Sequence, residues 1–318
     1  MTLLDGLERE LRKAYPDLEL RKNEPMSRHT TFRVGGPAAL MALPKTVEEA
    51  QATLRTAAEL GIEPFFLGNG SNLLVADEGY PGFVVKLAGR LEEVHPVPPS
   101  KPGENTRLEA GAAALLSRLS RMALDLGLTG LEFAGGIPGS VGGAVTMNAG
   151  AYGGEMSQTL AAVTCLDEKG SEFTLSSEKC NFSYRNSVFF KHPEWLIIKV
   201  ELDLRQGDRA EIKKRMDDLS TQRRAKQPLE YPSAGSTFKR PAPLPDGAPV
   251  YAAALIDQCG CKGLTVGGAQ VSEKHAGFII NRGGAACADI LALIGEVRKR
   301  VYDRTGVRLE LEVKTLGV

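Results

Sequence analysis

The chain lacks an excess of either charge. Its 318 residues carry 39 Lys and Arg against 39 Asp and Glu, so no basic footprint calls for nucleic acid or an anionic membrane surface as a partner. It lacks long apolar runs as well; none approaches the roughly 18 consecutive apolar residues of a membrane-spanning helix. The opening stretch MTLLDGLERELRKAYPDLEL is charged throughout, so no secretory signal is expected and a cytoplasmic location is the default. The four histidines (His29, His95, His192, His275) are scattered without HxH or HxxxH spacing, and the five cysteines include no CxxC pair. Cys259-Gly-Cys261 alone is too sparse for zinc. No metal site is expected, and the cysteines read as reduced core residues.

What remains is the profile of a soluble globular protein, 42% hydrophobic and 25% charged, with one compositional excess. Glycine is 35 of 318 residues, well above an average of about 7%. The excess gathers at 68–70, 135–154 and 260–284. Glycine clustered between apolar runs points to backbone approaching a ligand, or to a loop-rich protein with many tight turns.

The pattern alternates helix and strand. Helices are expected over Leu3–Ala14; after a capping box of Thr46 and Glu49, with Gly61 as the stop; and across Leu115–Leu126, stopped by Gly127. Further helices are read from Asp208 (RAEIKKRMDDLSTQRRAKQP, with Ile212, Met216 and Leu219 on one face) and over Cys287–Arg304 (Ile290, Ile294, Val297 and Val301 in one stripe, Gly306 at the end). Strands are expected at Thr31–Val34, followed by a turn at Gly35-Gly36-Pro37, and at Pro64–Leu67, Leu73–Val75, Phe83–Leu87, Arg107–Ala110, Ala161–Leu166, Glu172–Leu175 and Trp195–Leu204. Val307–Val313 alternates apolar and polar, which predicts a terminal strand with Glu310 and Glu312 on one face. The proline-rich segment 95–103 reads as a hairpin tip or lobe boundary, and 241–249 as an exposed loop. These breaks divide the chain into 1–90, 91–207 and 208–318.

Two glycine-rich stretches carry candidate chemistry. Gly68-Asn69-Gly70-Ser71-Asn72 follows an apolar strand and can turn several N–H groups toward one anion. It lacks the third glycine of a dinucleotide fingerprint and the Gly-Lys-Ser/Thr of a P-loop, and a plain hairpin turn fits it equally. Ala134–Gly154, AGGIPGSVGGAVTMNAGAYGG, exposes backbone donors to something flat or to phosphates, or else forms tight turns. The high entropic cost of ordering so much glycine favours binding.

FLGNGSNLLV (66–75), GLEFAGGIPGSVGGAVTMNAGAYGGE (130–155), NFSYRNSVF (181–189) and YPSAGSTFKRP (231–241) together resemble the UDP-N-acetylenolpyruvoylglucosamine reductase family. HTTFRVGGPA (29–38) and HAGFIINRGGAA (275–286) match too. The motifs stand in the family's order from His29 to Val313. The resemblance implies an α+β fold: a vanillyl-alcohol-oxidase-type (PCMH) FAD-binding domain in two lobes, here 1–90 and 91–207, and a smaller α+β substrate-binding domain, here 208–318. It implies non-covalent FAD, with Gly68, Asn69, Gly70, Ser71 and Asn72 at the pyrophosphate. Gly136, Ile137, Pro138, Gly139, Ser140, Asn148, Gly150 and Ala151 would line the flavin.

The implied reaction uses NADPH to reduce the enolpyruvyl ether of a UDP-sugar to the lactyl ether, giving UDP-N-acetylmuramate for peptidoglycan. An enol ether accepts hydride only if charge can flow into its carboxylate. By resemblance, Arg185 stabilises that enolate-like charge, as suits a planar permanent cation, and Ser236 gives the proton to C2. Glu312, preferred over Glu310 on the same face, either polarises the carboxylate when protonated or orients Arg185 when ionised. Tyr184 would contact the substrate, and Lys239 and Arg240 the uridine diphosphate. The partner is thus a small nucleotide sugar.

Some members carry a tyrosine-bearing loop after the SYR motif. Here VFFKHPEW (188–195) leads straight to Leu196, which resembles the shorter form, with the basic stretch QRRAKQ (222–227) as a substitute grip on the diphosphate. The runner-up is another FAD oxidoreductase of the superfamily acting on a hydroxy acid or sugar lactone, which would not need the Arg185 and Ser236 motifs together. A silent flavin or nucleotide-sugar sensor fits poorly, because all three catalytic positions are filled.

Overall fold

The computed structural model describes residues 2–97, 105–243 and 249–318. Most of the two proline-rich segments lies outside these, including the expected tip at 98–103 and the centre of the expected loop at 241–249. Strands Val94–Val97 and Thr106–Gly111 do pair antiparallel on either side of the first segment.

Helix formation follows the local chemistry closely. Thr2 accepts the Asp5 N–H at 3.2 Å, and Asp5 accepts the Thr2 N–H at 2.9 Å. That reciprocal cap opens the helix Leu3–Ala14, whose Leu7 and Leu11 are fully buried. Thr46 caps Val47–Glu59 through the Glu49 N–H. The Glu49 carboxylate reaches one residue further back than a closed box requires, to the Lys45 N–H at 2.6 Å. Leu116–Asp125, Arg209–Lys226 and Cys287–Thr305 complete the long helices, and Gly306, at φ 71°, ends the last.

Contacts group the chain into two units. The first comprises residues up to Lys22, Leu40–Asn69 and Gly82–Gln222. Its main sheet is antiparallel, in the order Glu172–Ser176, Leu160–Leu166, Leu196–Gln206, Thr106–Gly111, Val94–Val97, with Leu128–Thr129 pairing on the end of Leu196–Gln206. Leu108, Leu116, Val141, Val163 and Val200 lie in its buried core. A four-stranded sheet runs Glu19–Pro25, Pro37–Leu43, Tyr80–Val85, Pro64–Phe66.

The second unit is built from Asn23–Ala39, Gly70–Pro81 and Arg223–Val318. Its core takes Phe32, Val34 and Leu74 together with Ile290, Ile294, Val297 and Val301 of the last long helix. Strand Lys314–Leu316 pairs parallel with Leu73–Val75, Lys314 opposite Leu73. The sequence reading drew boundaries at 90 and 207. By contacts, the two units divide inside the helix Arg209–Lys226, after Gln222, and two early segments group with the C-terminal residues.

Two expected strands take other forms. Thr31–Val34 is irregular: Arg33 has φ 57°, the Thr30 hydroxyl donates to the Val34 carbonyl, and the Thr31 N–H donates to the Gly70 carbonyl. The segment's hydrogen bonds therefore go to itself and to the glycine loop rather than to a ladder, and the sheet strand lies just beyond, at Pro37–Leu43. Val307–Val313 forms no strand and makes one bridge, Leu311 to Phe238, before the strand Lys314–Leu316. Arg298 takes the Leu309 carbonyl with its side chain. Leu309 and Val313 are buried as the alternation requires.

Candidate active site

In the first unit, the two glycine-rich stretches converge. Asn69 Nδ2 donates to the Pro138 carbonyl at 2.6 Å. A Cβ at Gly68 would fall 2.5 Å from the Ser140 hydroxyl oxygen and would have to displace it. The second stretch is more than turns: Val141–Thr146 forms a short helix whose first residues are pinned by N–H donation from Val141 to Ala114 O and from Gly142 to Ala112 O, both at 2.8 Å. Gly136 and Pro138 are exposed beside it while Gly139 and Ser140 are buried. A cradle of backbone with almost no side-chain bulk suits a flat ring system and its phosphates, so the residues here fit FAD.

Asn148, expected along the flavin, also fastens neighbouring backbone. Its side chain is 1% exposed. It accepts from the Ser157 N–H at 3.0 Å and donates to the Ser183 carbonyl at 3.3 Å. Ser187, equally buried, donates to the Thr146 carbonyl at 2.6 Å. These contacts fasten a tight hairpin in which Ser183 and Asn186 exchange both backbone hydrogen bonds. Tyr184 and Arg185 form its tip. Arg185 has φ 53°, a left-handed conformation that a turn of this kind normally assigns to glycine or asparagine. Its guanidinium donates to the Gly150 carbonyl at 3.2 Å and lies 5.4 Å from the Tyr184 ring centroid. Gly150 and Ala151 form a two-residue strand with Gly154–Glu155. From Asn186 the chain passes through the 3-10 turn Val188–Phe190 to the strand Leu196–Gln206.

The second unit holds Gly70, Ser71, Asn72, Ser236 and Glu312. Thr237, fully buried, ties Ser236 and Glu312 together. Its N–H donates to Gly277 O at 2.8 Å, its hydroxyl accepts from Ile279 N–H at 3.2 Å, and its carbonyl accepts from Glu312 N–H at 2.9 Å. Ser236, immediately before it, bridges to Phe278. His275 supports the same turn: its Nδ1 accepts from Gly277 N–H at 3.2 Å and its ring meets Phe278 edge to face at 4.9 Å. Burial holds the His275 pKa below the usual histidine value, so the ring stays neutral and able to accept.

Sequence reasoning missed Thr237, His275 and Asn281 as architects of this region. Asn281 accepts from Gly283 and Ala285 and donates to Phe32 O. Asn before Gly-Gly was the legible signal for that turn. The two cations expected at the diphosphate already have surface partners: Lys239 pairs with Glu310 at 3.3 Å, and Arg240 lies 5.0 Å from the Tyr251 ring centroid. Glu310 is thereby exposed and engaged, whereas Glu312 is half-buried. The buried thiols are unreactive in kind, with burial pushing Cys165 up to about 12 and Cys180 and Cys287 up to about 11.

Residues 38–176 match the family model of the FAD binding domain. The fold and the glycine cradle thus belong to a class of FAD-binding proteins. Residues 227–316 match a second model, the C-terminal domain of UDP-N-acetylenolpyruvoylglucosamine reductase. Enzymes of that name from Caldanaerobacter subterraneus subsp. tengcongensis (44% identity, 96% of this chain and 97% of the relative) and Clostridioides difficile (45%, 94% of each) are similar along nearly their whole length. The crystal structure of the Thermus caldophilus reductase superposes with a TM-score of 0.75 at 37% identity, covering 94% of this chain and 98% of that one. The chain belongs to the UDP-N-acetylenolpyruvoylglucosamine reductase family.

Proposed function

We propose that the chain carries out the reduction its family is named for, converting UDP-N-acetylglucosamine enolpyruvate to UDP-N-acetylmuramate at the expense of NADPH. Bound FAD supplies the hydride carrier. The protein's own groups then have three tasks. Arg185 meets the substrate carboxylate, where negative charge builds as the double bond is reduced; a planar fork of donors stabilises that charge without having to be neutralised later. Ser236 Oγ delivers the proton to C2, on one face only because its backbone is fixed through Phe278 and Thr237. Glu312 either shares a proton with the substrate carboxylate or aligns the guanidinium.

The observation that supports this reading best is the Thr237 hub, which gives Ser236 and Glu312, residues far apart in sequence, a common rigid support. Gly68–Ser71, Gly136–Ser140 and the Gly150–Ala151 strand hold FAD without a covalent link. Tyr184, 52% exposed, contacts the nucleotide sugar. The chain is read as the shorter form of the family, with residues 222–227 toward the diphosphate. Among the described residues no helix is long and apolar enough to cross a membrane; a nucleotide sugar and NADPH as substrates place the work in the cytoplasm.

The test separates the two half-reactions. Under anaerobic conditions one equivalent of NADPH should bleach the flavin band, and UDP-N-acetylglucosamine enolpyruvate should restore it. Ser236→Ala should leave the first step nearly intact and slow the second by about 10²–10⁴-fold, the usual loss for a general acid. Equal slowing of both steps would remove Ser236 from that role, and failure of the band to return in the wild type would remove the substrate.

A further inference from the structure

Parallel pairing of Leu73–Val75 with Lys314–Leu316 brings the N-terminal ends of the two strands together. The glycine loop expected to meet the cofactor pyrophosphate leads into one strand, and Glu312 leads into the other. Side chain and backbone join them at that point. Asn72 Nδ2 donates to the Glu312 carbonyl at 2.9 Å, and Lys314 N–H donates to the Asn72 carbonyl at 3.0 Å. Glu312 is thereby held on both sides of its Cα: its N–H by Thr237 O and its C=O by Asn72.

We infer that Asn72 is a positioning residue for Glu312, through which the cofactor loop sets the aim of the carboxylate. A pyrophosphate can only accept hydrogen bonds, so an asparagine must meet it through Nδ2. That nitrogen carries two N–H groups, and one is committed to Glu312. The Glu312 N–H is fixed by the Leu311–Phe238 bridge through Thr237 O, and the regular strand starts only at Lys314. The Asn72 side chain fixes the carbonyl side of the same residue. Loss of the clamp leaves a half-buried carbonyl without this donor and lets the carboxylate swing, although no atom of Asn72 need touch the substrate. The cost falls on the step that uses Glu312 and spares the one that does not.

This rests on the role proposed for Glu312, and the experiment separates the two. FAD per chain, thermal midpoint, binding of UDP-N-acetylglucosamine enolpyruvate to the oxidised holoenzyme by perturbation of the flavin spectrum, and both half-reaction rates are measured for wild type, Asn72→Ala, Glu312→Gln and the double variant. Asn72→Ala, assayed on FAD-replete enzyme, should slow substrate reduction by about tenfold or more beyond any slowing of its NADPH step. In the Glu312→Gln background the same change should add less than about twofold, because residues that act through one group are not additive. Equal slowing of both steps in FAD-replete enzyme leaves Asn72 a cofactor contact alone and overturns the inference; so does full additivity in the double variant. Near-normal turnover of Glu312→Gln would instead sink the role of Glu312. If Asn72→Ala purifies poorly, Asn72→Ser, whose hydroxyl is too short to span to Glu312 O, enters the same cycle with the same expectations.

Discussion

At the scale of single residues, Arg185 is the one whose conformation argues for its use. A non-glycine residue whose backbone is held at φ 53° stores on the order of 1 kcal/mol or more, and such strain persists only where the surroundings over-determine it. Here they do: Asn148 holds the Ser183 carbonyl, Ser187 holds Thr146, and the guanidinium reaches Gly150. Folding and activity should therefore respond in opposite directions. Arg185→Gly should keep or raise the thermal midpoint, because glycine relaxes the turn, yet lower kcat for substrate reduction by at least two orders of magnitude. Arg185→Lys should keep the charge and lose about two orders of magnitude, since a point charge cannot reproduce a bidentate fork. Calorimetry and steady-state kinetics on the two variants check this; a glycine variant that is both less stable and active would refute it.

At the scale of elements, the turn 272–278 is built around neutral histidine. Ser272 accepts from the N–H groups of Lys274 and His275, and His275 Nδ1 accepts from Gly277. Because burial depresses the His275 pKa, the unfolded chain takes up a proton at higher pH than the folded chain does. The stabilising contribution is then complete above about pH 6.5, the unfolded value, and is lost as pH falls below it. The thermal midpoint should drop between pH 7.5 and 5.5 by more in the wild type than in His275→Gln; equal slopes would show that other groups carry the acid response.

Much of this level was legible in the sequence. Thr46, Gly61, Gly127 and Gly306 mark helix ends by local hydrogen bonding and backbone freedom, and those helices stand where the signals put them. The errors share a cause. Thr31–Val34 has strand composition, but its partner is a loop residue near position 70. The helix Val141–Thr146 is hidden by glycines that disfavour helix locally, while Gly142 is needed because a Cβ there would fall 2.9 Å from that of Ala112. Both depend on residues distant in the chain, which periodicity cannot see. The same holds for the site: motifs supplied Arg185, Ser236 and Glu312, whereas Thr237 and the side-chain work of Asn148 and Asn72 emerge only from what lies across from them.

At the scale of the whole molecule, each unit carries its own core, and cofactor binding adds to the stability of the folded state by mass action. With free FAD at a hundredfold over its dissociation constant the gain is about 2.7 kcal/mol, or about 4 °C for a chain of this size. Acid precipitation should release FAD into the supernatant at one per chain. Apoprotein prepared by gentler flavin removal should melt lower by that margin and recover on addition of FAD. A flavin that stays with the precipitate, or a midpoint indifferent to it, would contradict non-covalent binding at the glycine cradle.

The second unit has a history as well as a shape. It is stitched from segments beginning at Asn23, Gly70 and Arg223, and the strand that completes Leu73–Val75 ends at Leu316. On the ribosome, at about 5–20 residues per second, Leu73 waits on the order of tens of seconds for Lys314 to be made. Throughout that interval the edge of Leu73–Val75 is unpaired and Phe32 and Leu74 have no helix Cys287–Thr305 to bury against. The nascent chain must shelter these apolar groups until Lys314–Leu316 emerges, which makes synthesis, rather than the finished fold, the stage at which these groups are most exposed to aggregation.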